Sequence, residues 1–207
     1  MATWMKRTFD AEGVTEYPAG PRLTELSRRF RSSGAVVLCV DVSFSMRGTP
    51  LREAQRGGNG FIDDAVDGGY QLGVILWADQ VEDFAEPTTD ASRARAVLNA
   101  AEVSGTTELT PALKLAEKLL SSTRTDDQVC VVFTDGALGD SREAKKAADR
   151  MREQGIRILT IGLGRTAARG LEAIAGAGGT ETREATAGSL ADDLRGMATG
   201  LRTRRKR

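Results

Sequence analysis

The chain has 207 residues, with 29 Lys plus Arg against 29 Asp plus Glu, two cysteines and no histidine. That length suffices for one domain with a sizeable core; the balanced charge gives no general reason to expect a nucleic acid or an anionic membrane as partner; and the missing histidine excludes Ser-His-Asp and Cys-His catalysis and most zinc sites. No apolar run approaches the ~20 residues of a membrane-spanning helix, and the N-terminus lacks a signal-type apolar segment, so the expected compartment is the cytoplasm.

Residues 1–33 read as an irregular extension punctuated by Pro18, Gly20 and Pro21. Within it the spacing of Leu23, Leu26 and Phe30 predicts a short amphipathic helix, and Trp4, Phe9 and Tyr17 are expected to pack. The run Ala35-Val36-Val37-Leu38-Cys39-Val40 is short, apolar and rich in β-branched residues, the signature of a buried strand in a parallel sheet. Pro50 suits a first helical position, and Leu51, Ala54, Gly58, Phe61, Ile62 and Ala65 keep a helical phase after it. Gly57, Gly58 and Gly60 each cost roughly 1 kcal/mol against Ala in a helix interior. Gly58 lies on the apolar face and predicts close approach of helix to sheet; the other two predict a bent or loose helix.

Residues 70–78 form the second expected strand and residues 81–84 a short third, an antiparallel edge. Asp90 is placed to cap a helix carrying Ala94, Val97, Leu98 and Ala101. Thr110-Pro111 opens a helix with Ala112, Leu113, Ala116, Leu119 and Leu120 on one face. The β-branched run at 129–133 ends in Thr134-Asp135-Gly136. Asp140 and Glu143 have capping-box spacing, ahead of Ala144, Ala147, Ala148 and Met151. Ile156, Ile158, Thr160 and Ile161 mark another strand, Leu171 and Ile174 a short helix, and residues 180–183 a last edge strand. Leu190, Leu194, Met197, Ala198 and Leu201 predict a closing amphipathic helix, followed by a basic, solvated tail at 202–207.

Strands alternating with helices argue a parallel sheet wrapped on both faces. The expected fold is α/β and Rossmann-like: doubly wound, with a mostly parallel six-stranded sheet, one antiparallel edge strand and helices on both faces. It spans residues 34–201, between the extension at 1–33 and the tail at 202–207. Cys39 and Cys130 sit inside apolar runs and read as buried reduced thiols, close together if their strands are neighbours.

The polar cluster Asp41-Val42-Ser43-Phe44-Ser45-Met46 lies where the first strand stops, and open α/β sheets place ligands beyond the carboxyl ends of their strands. Asp41, Ser43 and Ser45 offer one carboxylate and two hydroxyls, and hard divalent cations take oxygen ligands. Met46 is expected to pack inward; Phe44 is expected at the rim of the site, with inward packing the alternative. Two more segments of this kind follow: Val103-Ser104-Gly105-Thr106-Thr107-Glu108-Leu109, just before a helix, and Thr134-Asp135-Gly136, a carboxylate at the end of a buried strand. Together these three resemble the metal-ion-dependent adhesion site of von Willebrand factor type A domains, in order and in setting.

The resemblance covers roughly Gly34 to Leu201. It implies that Ser43, Ser45 and a threonine bind a divalent cation directly, with Asp41 and Asp135 bound directly or through water. Alignment to Leu109 and Ala112-Leu113 favours Thr107 as that threonine, with Thr106 the alternative. The cation implied is Mg²⁺, with Mn²⁺ or Ca²⁺ possible. Neutral hydroxyl ligands quench little of its charge, so an open coordination position favours an outside carboxylate. The implied activity is metal-dependent protein binding without catalysis, the partner supplying an Asp or Glu. Bacterial members of the family often work beside AAA+ ATPases, which makes that a partner class implied by resemblance.

Two enzyme readings compete. Gly162-Leu163-Gly164-Arg165-Thr166-Ala167 follows a strand and matches the dinucleotide pattern Gly-x-Gly-x-x-Ala, with Glu181 and Glu184 downstream. It lies on a late strand rather than in an N-terminal βαβ unit. Asp41 after the first strand also suits a phosphoryl-transfer nucleophile of the haloacid-dehalogenase-like kind, but those enzymes use Asp-x-Asp and the third position here is Ser43. No Walker loop is present.

Overall fold

Every residue of β1 (Gly34–Asp41) is buried, which places this strand at the centre of the sheet. The computed structural model describes residues 34–175 and 182–185. In these, β1 is followed by a single 3-10 turn, Phe44–Met46, then α1 (Thr49–Asp67), β2 (Tyr70–Trp77), β3 (Val81–Thr88), α2 (Ser92–Asn99) and α3 (Thr110–Ser121). After these come β4 (Gln128–Thr134), α4 (Ser141–Glu153), β5 (Arg157–Leu163), α5 (Gly164–Ala175) and β6 (Thr182–Ala185). The expected N-terminal helix, the closing helix at 190–201 and the basic tail lie outside the described residues.

The six strands run in the order β3-β2-β1-β4-β5-β6. β1 pairs in parallel with β2 and β4, and β4–β5 and β5–β6 are also parallel. Only β2–β3 is antiparallel, the expected edge. The chain winds outward from β1 in one direction, then returns beside β1 and winds outward in the other. The reversal falls between β1 and β4, and a crevice opens there at the carboxyl ends of the strands.

Alternation along the strands divides the core in two. Val36, Leu38 and Val40 of β1 face α1 and α2, packing with Phe61, Ile62, Val97 and Leu98. Val37 and Cys39 face α3, α4 and α5, packing with Leu113, Leu120, Ala148, Met151 and Leu171. Both faces are therefore covered, as a parallel sheet requires.

Several elements depart from the sequence expectation. β3 runs to Thr88, well past Phe84. An edge strand has one row of backbone groups with no sheet partner, so Pro87 is tolerated there. Ala101 is buried but lies beyond α2. The last strand begins two residues later than expected, at Thr182. α1 is one continuous helix of 19 residues despite its glycines. The close approach at Gly58 is to both neighbours: a Cβ there would lie 2.7 Å from Leu98 and 3.5 Å from Leu38. Gly57 and Gly60 are buried as well.

Cys39 and Cys130 are free, buried and 3.8 Å apart at sulfur. The hydrogen bond with Cys130 and then burial push the Cys39 thiol well above its ordinary value. Cys39 pairs in register with Val132, and Cys130 with Val37, so the two are offset by two positions along neighbouring strands.

Candidate metal centre

The crevice between β1 and β4 is lined by three loops. The first leaves β1 at Asp41, which is fully buried. Asp41 Oδ1 accepts the Ser43 backbone N–H at 2.7 Å, and Oδ2 accepts the Thr134 hydroxyl. Both carboxylate oxygens are thus held, one by its own loop and one by the end of β4. Burial pushes the Asp41 carboxyl above its ordinary value; the bonds from Thr134 and Ser43 pull it down, and the negative Asp135 adds a smaller push upward. Ser43 and Ser45 project from the same loop with their hydroxyl oxygens 3.0 Å apart, and Ser45 Oγ donates to Asp135 Oδ1 at 2.6 Å. Ser43 is buried, Ser45 is exposed and Asp135 lies between.

The third loop, residues 101–109, is latched to the other two by backbone hydrogen bonds. Ser104 N–H donates to Val42 O at 2.7 Å, and Phe44 N–H to Gly105 O at 3.2 Å. Gly139 N–H donates to Thr107 O at 2.8 Å. Gly105 has φ +52°, and a Cβ there would fall 1.7 Å from Asp79 Oδ1. The left-handed backbone favours glycine at that position, and a side chain there would also displace Asp79. Gly136 shows where Thr107 points: a Cβ on Gly136 would lie 3.4 Å from Thr107 Oγ1 and 3.6 Å from Ser45 Oγ. The two hydroxyls face the same small volume, and the absence of a side chain at Gly136 leaves it open. Thr106 is exposed, and it is the Thr107 hydroxyl that borders the space beside Gly136.

Two residues of this site were not assigned a role from sequence. Thr134 opens the polar segment Thr134-Asp135-Gly136 with no role of its own in the sequence reading, yet its hydroxyl donates to Asp41 and accepts the Gly136 N–H at 3.1 Å. Asp140 reads as the cap of its own helix. In the structure it occupies the N-cap position of α4 without any side-chain cap bond, so the expected capping box does not form. Its carboxylate instead accepts the N–H groups of Leu109 at 2.9 Å and Thr110 at 2.7 Å. These belong to the start of α3, where Leu109, not Thr110, is the N-cap. Asp140 thus ties the loop after β4 to the helix that follows Thr107. Asp90 stands one residue before the N-cap of α2, which is Ala91 and has no side-chain cap bond; its carboxylate accepts the Ser92 N–H at 2.9 Å.

The donor set suits a hard, octahedral cation. Two ligands each ~2.1 Å from such an ion and at right angles are about 3.0 Å apart, the separation of Ser43 Oγ and Ser45 Oγ. Among the described residues no three His, Cys, Asp or Glu side chains cluster as a metal site, so any cation here draws on hydroxyls as well as on Asp41 and Asp135. Nearby glycines of the rival dinucleotide motif have another explanation. A Cβ on Gly162 would meet Ala168 N at 2.3 Å, so this glycine lets α5 pack against the end of β5. The motif sits one strand away from the reversal between β1 and β4. Glu184 lies on β6, and Glu181 is outside the described residues.

Comparison with solved structures finds the same fold in several proteins. The vWF domain of the type V pili tip protein Mfa5 from Porphyromonas gingivalis superposes with a TM-score of 0.76 at 13% identity, covering 86% of this chain and 98% of that one. The pilus adhesin SpaC from Lactobacillus rhamnosus GG superposes with a TM-score of 0.73 at 12% identity, over 84% of this chain and 31% of the adhesin. A von Willebrand factor type A protein from Catenulispora acidiphila gives 0.70 at 20% identity, over 83% and 43%. At such identities these likenesses establish the fold. A comparison with the curated proteins finds no match. The model of the von Willebrand factor type A domain matches residues 35–195, a span that contains all of the sheet but Gly34 and all three loops of the crevice. With that match added to the strand order and the loop residues, the chain belongs to the von Willebrand factor type A domain family.

Proposed function

We propose that this domain is a metal-dependent protein-binding module with no catalysis of its own. Its family is one whose fold commonly mediates protein–protein adhesion. In the proposed site Ser43, Ser45 and Thr107 hold Mg²⁺ through their hydroxyls, or Mn²⁺ or Ca²⁺ in its place. Asp41 and Asp135 balance its charge directly or through water. A protein partner contributes one Asp or Glu to the solvent-facing position, where a charge-assisted contact is stronger than a neutral one. An AAA+ ATPase presenting an acidic residue is a partner of this kind. The observation that carries the reading is the convergence of Ser43, Ser45 and Asp135 oxygens at 3.0 and 2.6 Å, with Thr107 facing the same volume across Gly136.

Thermal unfolding tests it. A ligand that binds only the folded state adds roughly 2.7 kcal/mol at a hundredfold excess over Kd, which for a domain of this size is about 5–10 °C. Tm is expected to rise in Mg²⁺ or Mn²⁺ and to return in chelator. The double variant Ser43→Ala, Ser45→Ala and the single variant Thr107→Ala lose the rise, while Thr106→Ala keeps it. A full metal response in the double variant means that the cation binds elsewhere.

A further inference from the structure

Among the described residues only Phe44 and Phe84 are large hydrophobics left exposed, and Phe44 is the more so at 57%. Single exposed apolar side chains are common on protein surfaces. Phe44 differs in how it is held. Its N–H is bonded to Gly105 O at 3.2 Å, its carbonyl accepts the Arg47 N–H at 3.2 Å, and Met46 N–H closes the turn on Ser43 O at 2.9 Å. The turn buries Met46 completely and directs the Phe44 ring outward on a fixed backbone, next to the Ser45 hydroxyl of the candidate site. With the backbone fixed in this way, only the ring's own rotamer is left to be ordered when a partner covers it.

Charge around the ring is one-sided. The Arg47 guanidinium stands 5.9 Å from the Phe44 ring centroid. Arg52 Nη2 donates to the hydroxyl of Thr49 at 3.0 Å. Neither arginine has a carboxylate partner among the described residues, whereas the next arginine, Arg56, is paired with Glu53. From Val42 to Arg52 the chain contains no acidic residue. The rim of the site on this side is therefore an aromatic face beside Arg47, a cation with no ion-pair partner among the described residues.

We infer that the β1–α1 rim is a second recognition element and that its occupant is an acidic segment of a protein partner. In that segment the carboxylate that reaches the cation is accompanied by an aromatic or long aliphatic side chain, which covers Phe44, and by a second carboxylate, which meets Arg47. This rests on the cation-site reading above. Covering the Phe44 ring excludes water from the Arg47 contact, and the charge pair is stronger for that exclusion. Phe44 and Arg47 would then select among acidic segments that the cation by itself would accept alike.

The test is selection of a displayed library of random dodecapeptides on the immobilised 207-residue chain, in Mg²⁺ and in chelator, in parallel with the variants Phe44→Ala and Arg47→Ala. Both side chains are exposed, and both variants are checked for an unchanged melting temperature and metal response. In Mg²⁺ the pool is expected to be enriched in peptides with Asp or Glu flanked by an aromatic or Leu residue and a further acid. The Phe44→Ala pool loses the apolar preference and the Arg47→Ala pool loses the second acid. A synthetic peptide of the selected sequence binds Phe44→Ala about tenfold more weakly, the scale of a central interface residue. Enrichment of acids in Mg²⁺ with no flanking preference, or with a preference that both variants retain, overturns this inference and leaves the cation site standing. The same flanking preference in chelator overturns the cation-site reading instead. A pool that keeps the library's composition overturns both.

Discussion

Removing the Asp140 carboxylate probes how the site is assembled. In Asp140→Ala the Leu109 and Thr110 N–H groups, now bonded at 2.9 and 2.7 Å, lose a charged acceptor. Loss of a helix cap costs about 0.5–2 kcal/mol, and hydrogen bonds to a charged group contribute ~1.5–3 kcal/mol. Asp140 is half-buried, so water replaces part of what is lost, and the net cost is roughly 1.5–3 kcal/mol. At ~2–4 °C per kcal/mol for 150–250 residues this is a fall in Tm of about 3–12 °C. Urea and thermal unfolding in chelator measure it without any contribution from metal. Asp140→Asn keeps one carbonyl acceptor and is expected to recover about half of the loss. The neighbouring Gly139 N–H bonds Thr107 O at 2.8 Å, so loosening this junction also shrinks the Mg²⁺-dependent rise in Tm. A fall of less than about 1 °C in Asp140→Ala, with the full metal response kept, would refute the claim that Asp140 joins the β4 loop to α3.

Asp135→Asn removes the charge that faces Asp41 and keeps a hydrogen-bond acceptor for Ser45; unfolding in chelator is expected to show unchanged or slightly higher stability, and titration with Mg²⁺ to show no response. Marked destabilisation in chelator would make Asp135 a structural acceptor. Gly136→Ala places a methyl group 3.4 Å from Thr107 Oγ1 and 3.6 Å from Ser45 Oγ, ordinary contact distances, so its Tm in chelator stays close to the parent while the metal response weakens. Gly162→Ala sets a Cβ 2.3 Å from the Ala168 backbone nitrogen; the forced separation of α5 from β5 is expected to cost roughly 1–3 kcal/mol or more in urea unfolding. A Gly162→Ala protein of parent stability would return that glycine to a ligand-binding role.

The sequence by itself determined the layout of the described residues and offered the candidate oxygen donors, with Thr106 and Thr107 both open for one of the places. The run at 35–40 is apolar at every position because both faces of β1 are covered, and a strand of that kind announces itself without knowledge of its neighbours. Asp41, Ser43 and Ser45 were legible because they are packed into five residues at its end. What sequence did not determine depends on groups far apart in the chain. Thr134 bonds a carboxylate 93 positions earlier and Asp140 bonds amides about 30 positions earlier, and neither partner leaves a mark on local periodicity. Asp140 had the spacing of a cap for its own helix, but in the fold the start of α3 lies within its reach. The same limit applied to the two thiols, which proved to be neighbours only once β1 and β4 were paired, and offset by two positions only once their register was known. Phe44 and Met46 are similar in size and polarity and stand two positions apart; the hydrogen bonds that the Phe44 N–H donates to Gly105 O and that the Phe44 carbonyl accepts from the Arg47 N–H decide that one ring faces solvent while Met46 enters the core.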